Sequence, residues 1–517
     1  MQILSAPPSQ WPLWFKNKGE DVAGFLFGRA KRKFHALKIP DHRLTFLWGV
    51  HPIHFPVPHR YTLQRADDRI HHGDLNMPKE EVSTPDRPER IVIVGGGFAG
   101  VTLAQRLERL LPEQTEIIVL GADNHLVFTP MLPEVVGRTI SPLHVVVAGR
   151  QLTRRTKWLE ARVSRIDRDK GEAHYLRRDG TTASMRYTHL VLACGAPANL
   201  AEIPGLASRG YALKTVIDAI VMGNDVIGNF EAATTQPDPE ARQRLLTVVV
   251  IGGGFSGVEV AGHITDLMRA IHRFYPELKH ETPHVVLLQK GTQLLPELHH
   301  ESLSEFTLQK LRKNGIKVRL DTSAKKADST AVQLTSGERI ETGMIVCTVG
   351  TETHSLIKEL GLPLEKGRLK TDPDMKVSGT TNLWSLGDCA LVPNAFDGRT
   401  SPATAQFAMQ QARQLAENLK CASQGTATRP FNFHPRGMLA SIGHRNAVAV
   451  IYGVKLSGFI AWFLWRGVYL AKLPTLSRKL EVALSWACNI PFPPNIVELR
   501  LSKKQASEAA SERAVTD

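Results

Sequence analysis

Two glycine-rich turns of one kind, far apart in the chain, constrain this sequence more than anything else. Ile91-Val92-Ile93-Val94 runs straight into Gly95-Gly96-Gly97-Phe98-Ala99-Gly100, and Val248-Val249-Val250-Ile251 runs into Gly252-Gly253-Gly254-Phe255-Ser256-Gly257. In each case an apolar, β-branched strand ends in G-x-G-x-x-G and a helical pattern follows, the context that gives this motif meaning. Gly95 and Gly252 allow the tight turn, and Gly97 and Gly254 let backbone approach a pyrophosphate. Gly100 and Gly257 let helix pack on strand, so the helix N-terminus faces the anion. One such turn reads equally well as an ordinary loop. Two imply that electrons pass between two nucleotide cofactors.

The chain has 517 residues, enough for two to four domains, and its 42% hydrophobic content supports real cores. It holds no uncharged apolar run of about 20 residues, so a membrane-spanning helix is not expected. The formal charge is +14, and from Pro430 onward eleven Lys/Arg stand against five Asp/Glu. Such a balance suits nucleic acid, anionic lipid or acidic substrates. No zinc-ligand spacing or nucleic-acid-binding signature accompanies it, which favours lipid and argues against nucleic acid and a metal site. The five cysteines (Cys194, Cys347, Cys389, Cys421, Cys488) are scattered and odd in number, as in a reducing compartment. No cysteine pair follows either turn, which disfavours electron relay through a disulfide.

Residues 1–89 mix Pro, His, Arg and isolated aromatics without a period. They read as a disordered or accessory extension, or as translation from an upstream start, since Met77 would open a compact protein; a regulatory segment is the alternative. From Ile91 the pattern is strand, turn, helix and strand (Glu116 to Leu120), then a β-rich stretch ending at Leu190-Val191-Leu192-Ala193-Cys194-Gly195-Ala196. A polar break near Thr234 to Gln243 precedes the second nucleotide unit, whose later strands are Val285 to Leu288 and Ile345 to Val349. The chain then returns to the first unit through Leu383 to Asp388. The expected fold class is α/β: two nested Rossmann-like units, 90–240 with 356–430 and 241–355, sharing one cleft. A membrane-association region follows at 431–502, and a disordered tail at 503–517.

Leu456 to Leu473 is rich in Phe, Ile, Leu and Trp but is interrupted by Arg466, Lys472 and Pro474. A span would place Arg466 near mid-bilayer, at roughly 2.5–3.5 kcal/mol. An interfacial helix instead puts apolar and Trp side chains at the lipid boundary while Arg466 and Lys472 snorkel outward. Trp462, Trp465 and Trp486 beside Arg466, Arg478 and Lys479 favour that reading over an oligomer interface or a buried core helix.

Taken in order, GGGFAG, FTPMLP (Phe128 to Pro133), GGGFSGVE, GDCA (Gly387 to Ala390), AQFAMQQ (Ala405 to Gln411) and SGFIAWFLW make the chain resemble the type II NADH dehydrogenases. These are single-subunit flavoproteins that reduce quinone without pumping protons. The resemblance covers about Ile91 to Leu501. It implies FAD on the first turn, contacted by Phe98 and Ala99, and NADH on the second, contacted by Phe255 and Ser256. It further implies cofactor contacts at Thr129, Pro130, Val163, Ala193, Gly195 and Gly350, with Gly387, Asp388 and Ala405 at the flavin. A carboxylate such as Asp388, in a small-residue turn after a strand, can accept hydrogen bonds from ribityl hydroxyls. Glu259, early in the helix after the second turn, either suits the helix dipole or, as the resemblance implies, lies near the nicotinamide. Gln406, Gln410 and Gln411 become quinone-side candidates only through the resemblance, since glutamines on a helix are usually surface residues. The implied partners are a membrane quinone and a bilayer surface, in a monotopic protein on the cytoplasmic face of a bacterial inner membrane, with a homodimer left open.

Two positions depart from the family's pattern. The acid expected for a ribose 2′-OH after the second strand of each unit is missing. The first unit has Gly121 there, with Asp123 two residues late; the second has Gln289-Lys290. Gln beside Lys tolerates a 2′-phosphate that a carboxylate would repel, so NADPH is expected to be accepted alongside NADH. Two rival readings are a quinone reductase fed by another donor such as sulfide, and a low-turnover nucleotide sensor.

Overall fold

The computed structural model describes residues 88–435 and 437–499. The expectations for residues 1–87 and for the tail 503–517 therefore lie outside the described residues. In chain order the elements that position the site begin with β1 (Arg90–Val94), α1 (Phe98–Leu110), β2 (Glu116–Gly121) and the short α2 (Leu132–Val136). Then come β3 (Lys157–Asp167), β4 (Glu172–Arg177), β5 (Thr182–Arg186), β6 (His189–Leu192), β7 (Gly210–Tyr211) and α3 (Val216–Thr235). The second glycine turn lies between β8 (Thr247–Ile251) and α4 (Phe255–His272), followed by β9 (His284–Leu288), β10 (Lys317–Arg319) and β11 (Met344–Cys347). The rest is β12 (Leu383–Ser385), α5 (Ala405–Ser423), β13 (Gly437–Ser441), β14 (Ala447–Ile451), β15 (Val454–Ser457), α6 (Gly458–Lys472) and α7 (Leu476–Cys488).

The first sheet has the order β12-β6-β1-β2-β3-β4-β5. Its first five strands are parallel, with Ile91 opposite both Ile117 and His189 and Ser385 opposite Leu192. β1 is buried on both faces from Ile91 to Val94, the continuous apolar run that a covered parallel sheet requires. Because β12 comes from beyond β8–β11, the first sheet closes only after the second is complete. The second sheet, β10-β9-β8-β11-β7, is parallel throughout. It draws in β7, whose Gly210 and Tyr211 pair with Ile345 and Val346, and α3 packs on both α2 and α4.

The C-terminal region is not peripheral to this core. β13, β14 and β15 form an antiparallel sheet against which α6 packs. Ala440, Val448, Ala461, Trp465, Val482 and Trp486 join one buried cluster with Val135, Ile264 and Leu287. Among the described residues no helix is long and apolar enough to cross a membrane.

Candidate functional site: two phosphate cradles and a buried acid cluster

The first turn is built by steric need. Gly95 has φ +114°, and a Cβ there would lie 2.3 Å from the Ala193 carbonyl oxygen. A Cβ on Gly100 would lie 1.9 Å from the Gly95 oxygen, so only glycine lets α1 start so close to the loop. Gly97 caps α1 without a side-chain hydrogen bond, no acid occupies the first turn, and the space beyond its Cα is open. The first N–H groups of α1 thus point at room for an anion. The second turn repeats the backbone pattern, with Gly252 at φ +109°, a Cβ on Gly257 1.8 Å from the Gly252 oxygen, and Gly254 capping α4 without a side-chain bond. Here, however, the Glu297 carboxylate stands 2.8 Å from where a Cβ on Gly254 would lie. Ser256 is exposed at that helix start and Phe255 half-buried behind it.

Trp158, fully buried in β3, lies under the first turn. A Cβ on Gly96 or Gly149 would reach its ring at 2.7 or 2.4 Å. Its Nε1 is buried with no hydrogen-bond partner among the described residues. This orphaned donor beside an open cradle fits the nucleotide half of a flavin, and sequence reasoning missed it, because nothing in the local pattern distinguishes a lone strand Trp. The missing acid has a backbone cause: a Cβ on Gly121 would be 2.9 Å from the Asp123 carbonyl oxygen, with the Trp158 ring in ordinary contact at 3.6 Å. Asp123 itself is exposed on the adjoining bend, and Val163 is buried within the sheet core rather than open to a cleft.

The other end of the first cradle is where α1, the Gly387–Cys389 turn and α5 meet. Gly387 has φ +74°, and a Cβ there would stand 3.5 Å from Ala99 and 3.7 Å from Ala408. Asp388 is half-buried, and the loss of solvent raises its carboxyl above the usual range, while Lys214 and Arg368 pull the other way. Gln411 corrects an expectation. It is 2% exposed, and its Oε1 accepts the Gly387 N–H at 2.8 Å, so it braces the turn rather than facing a quinone. Gln406 and Ala405, at the start of α5, are half-buried; Gln410 lines a surface cavity of about 320 Å³ with Arg106 and Phe433. Ala193 and Gly195 flank the Gly95 turn, Thr129 and Pro130 begin the short helix before α2, and Gly350 is exposed after β11. Cys194 and Cys389, distant in sequence, lie close together beside β6 and β12, and the Cys389 thiol donates to the Leu192 carbonyl at 3.4 Å.

In the second unit Gln289 is also turned inward. Its Oε1 accepts the Gly253 N–H at 2.9 Å and its Nε2 donates to the Gln293 carbonyl at 3.1 Å, leaving Lys290 exposed.

Glu259 is buried, and its Oε1 accepts the Ser441 N–H at 3.0 Å. Burial pushes its carboxyl up to about 8, against the pull of the Ser441 N–H. A ring chain leads from the first cradle to this acid: Phe98 meets Phe128 at 5.6 Å, Phe128 meets Tyr469 at 6.2 Å, and Tyr469 meets Trp465 at 4.7 Å. The start of α1 thus reaches α6 through Phe128, and α4 reaches it through Glu259.

Arg466 does not snorkel outward. Its guanidinium is stacked on Trp462 at 4.1 Å and on Trp486 at 4.5 Å, inside the α6–α7 hairpin. Trp465 and Trp486, expected at the lipid boundary, are buried. The exposed apolar faces are instead Phe459, Ile460 and Phe463 on α6 and Leu476, Leu480 and Leu484 on α7, each more than 60% exposed.

Residues 89–412 match the pyridine nucleotide-disulphide oxidoreductase family, and residues 436–492 match the NDH2 C-terminal domain. The chain is 29% identical to the type II NADH:quinone oxidoreductase Ndh of Mycobacterium tuberculosis, over 80% of this chain and 90% of that protein. It is 30% identical to the demethylphylloquinone reductase NdbB of Synechocystis, over 78% of this chain and 96% of that one. NDH2 from Plasmodium falciparum, solved in complex with NADH, superposes with a TM-score of 0.73 at 18% identity, covering 80% of this chain and all of that one. The fold, the two cradles and these matches place the chain in the pyridine nucleotide-disulphide oxidoreductase family and, within it, among the type II NADH:quinone oxidoreductases.

Proposed function

We propose that the first cradle holds FAD and the second NADH, with residues 90–240 and 356–430 forming the flavin unit and residues 241–355 the nicotinamide unit. The observation that carries this reading is that the start of α1, through Phe98 and Phe128, and α4, through Glu259, both reach Tyr469. Trp158 and Asp388 would hold the two ends of the flavin nucleotide, and Gln411 would fix the turn that presents Asp388. A bound flavin would supply the hydride-accepting and electron-donating chemistry, while the protein orients the partners and excludes water. Gln406, at the start of α5, is the quinone-side contact, and no residue acts as a nucleophile or pumps protons. The exposed faces of α6 and α7 seat the protein peripherally on a bilayer, at the cytoplasmic face of a bacterial inner membrane, with the basic C-terminal region adding attraction to anionic lipid at about 1 kcal/mol per side chain.

NADPH is accepted as well, because Gln289 and Lys290 offer no carboxylate to repel a 2′-phosphate. Purified protein should carry FAD by extraction and mass, and NADH should bleach it; a preparation that binds no flavin refutes the assignment. Steady-state NADH oxidation with a short-chain quinone should persist over many turnovers, where a sensor would be reduced once and stop. A charge-assisted contact is worth about 1.5–3 kcal/mol, so Gln289→Glu should shift kcat/KM toward NADH by tens-fold. A wild type already favouring NADH a hundredfold and unmoved by the substitution would end the NADPH claim.

A further inference from the structure

Reducing a quinone to its quinol takes two electrons and two protons, whereas a hydride carries two electrons and one. The second proton must come from the protein and be restored from water. Around Glu259 the structure gathers more ionisable groups than one acid needs. Glu134, on α2, is 2% exposed, and its Oε2 accepts the Trp486 Nε1–H at 2.8 Å. From α6, Arg466 exerts the main opposite-charge pull on Glu134. From α4, Glu259 and His263 lie one helical turn apart on the same face. A Cβ on Gly137, at the end of α2, would be 3.1 Å from the His263 Cβ, so α2 crosses α4 at this face. Glu134 and Glu259 sense each other's charge, as do Arg466 and His263 and also Tyr469 and Glu259. From α3, Asn224 is taken up by Arg138, and Arg445 lies near Arg466.

A carboxylate buried in a core is costly unless it serves a purpose or has a full set of partners. Glu134 has one hydrogen bond. His263 Nε2 and Arg466 Nε are buried and find no partner among the described residues. This is a polar cluster in an apolar junction, covered by the two helices that also carry the exposed apolar faces. Burial pushes Glu134 up to about 7 and Glu259 up to about 8, and holds His263 down to about 4, so the imidazole is neutral and can relay through either nitrogen.

We infer that Glu134 is a proton-holding acid of the quinone half-reaction: it acts through Glu259, returning to it the proton delivered to the reduced quinone, with Arg466 and Trp486 positioning its carboxyl group. The inference rests on the quinone-reductase reading; sustained wild-type turnover establishes that reading before any variant is measured.

The test is Glu134→Gln in the full chain, which keeps an oxygen to accept the Trp486 N–H. Anaerobic single-turnover reduction of the bound flavin by NADH should proceed at the wild-type rate, whereas kcat with saturating short-chain quinone should fall roughly tenfold or more, on the scale of proton-transfer catalysis. The wild-type kcat profile should decline in two steps on the alkaline side, and the variant should lose the lower step. Glu134→Asp should restore both rate and profile in part. The inference is overturned if Glu134→Gln keeps kcat and pH profile within twofold of wild type. It is equally overturned if both half-reactions and the thermal midpoint fall together, or if Glu134→Asp behaves no better than Glu134→Gln.

Discussion

Gln411 shows how far one side chain can depart from the role its motif implies. The AQFAMQQ pattern offers three glutamines on one helix, and the helical period alone cannot say which of them faces a substrate. The structure separates them by burial: Gln406 and Gln410 are half-buried, whereas Gln411 is enclosed and bonded to the Gly387 N–H. Leaving a buried N–H without an acceptor costs about 1–3 kcal/mol. Gln411→Leu should therefore weaken flavin retention by roughly tenfold or more, read as the flavin-to-protein absorbance ratio after gel filtration. The KM for quinone in the flavin-loaded fraction should stay near wild type, and a raised KM with full flavin content would return Gln411 to the quinone side. The same lesson holds at Gly121 and Gln289. Sequence position marks where an acid belongs, but the Asp123 carbonyl crowds any side chain at the first position and Gly253 engages the residue at the second. The cradles themselves were legible because their glycines are dictated by backbone clashes between near neighbours in the chain. Trp158 and Glu134 were not, because what makes them notable is contact across long sequence distances.

At the scale of elements, α6 and α7 reverse the naive orientation of their aromatic residues. Hydrophobicity alone places Trp462, Trp465 and Trp486 toward lipid, yet the Trp rings enclose Arg466 and fill the junction with α2 and α4. The polar attachments of α7 all reach back to the segment after the first cradle: Arg478 Nε donates to the Val146 carbonyl at 3.1 Å, and Trp486 to Glu134. What remains outward is Phe459, Ile460 and Phe463 on one helix and Leu476, Leu480 and Leu484 on the other. Fully burying an apolar side chain of this size is worth about 1.5–3 kcal/mol, so a charge on each helix face should be decisive. Phe463→Glu with Leu480→Glu should move the protein from sedimenting vesicles of anionic lipid into the supernatant, while soluble-quinone turnover stays within a few-fold of wild type. Unchanged sedimentation would assign these faces to another partner. The strand and helix pattern around both glycine turns was readable from periodicity. The inward arginine was not, because a charge inside an apolar helix reads as a snorkelling residue until its buried acid is seen.

For the whole molecule, the C-terminal region is part of the catalytic body and not a detachable anchor. β13 supplies the Ser441 N–H that Glu259 accepts, Gly443 lies so close to Gly262 that a Cβ on either would be within 3.0 Å of the other's backbone, and Trp465 and Val482 are in the same core as the second sheet. A chain ending before Leu456 would expose that core and strip the buried acids of their cover. Removing large buried side chains costs about 2–5 kcal/mol each, against a total stability of about 5–15 kcal/mol for a typical protein. Such a truncation should therefore be insoluble or bind little flavin, and its loss from a membrane fraction would say nothing about lipid. The pH dependence separates the two contributions. Glu134 and Glu259 both have carboxyl groups raised by burial, so the stability tied to their protonated forms is complete at pH 4 and is lost as pH climbs through about 7 and about 8. Glu259→Gln, which cannot ionise, should accordingly gain thermal midpoint over wild type between pH 5 and pH 9, by a difference that widens with pH. A difference that is flat or shrinks over that range would mean that these acids are charged and paired in the folded protein, and that the junction of α2, α4 and α6 is an ion-pair lock.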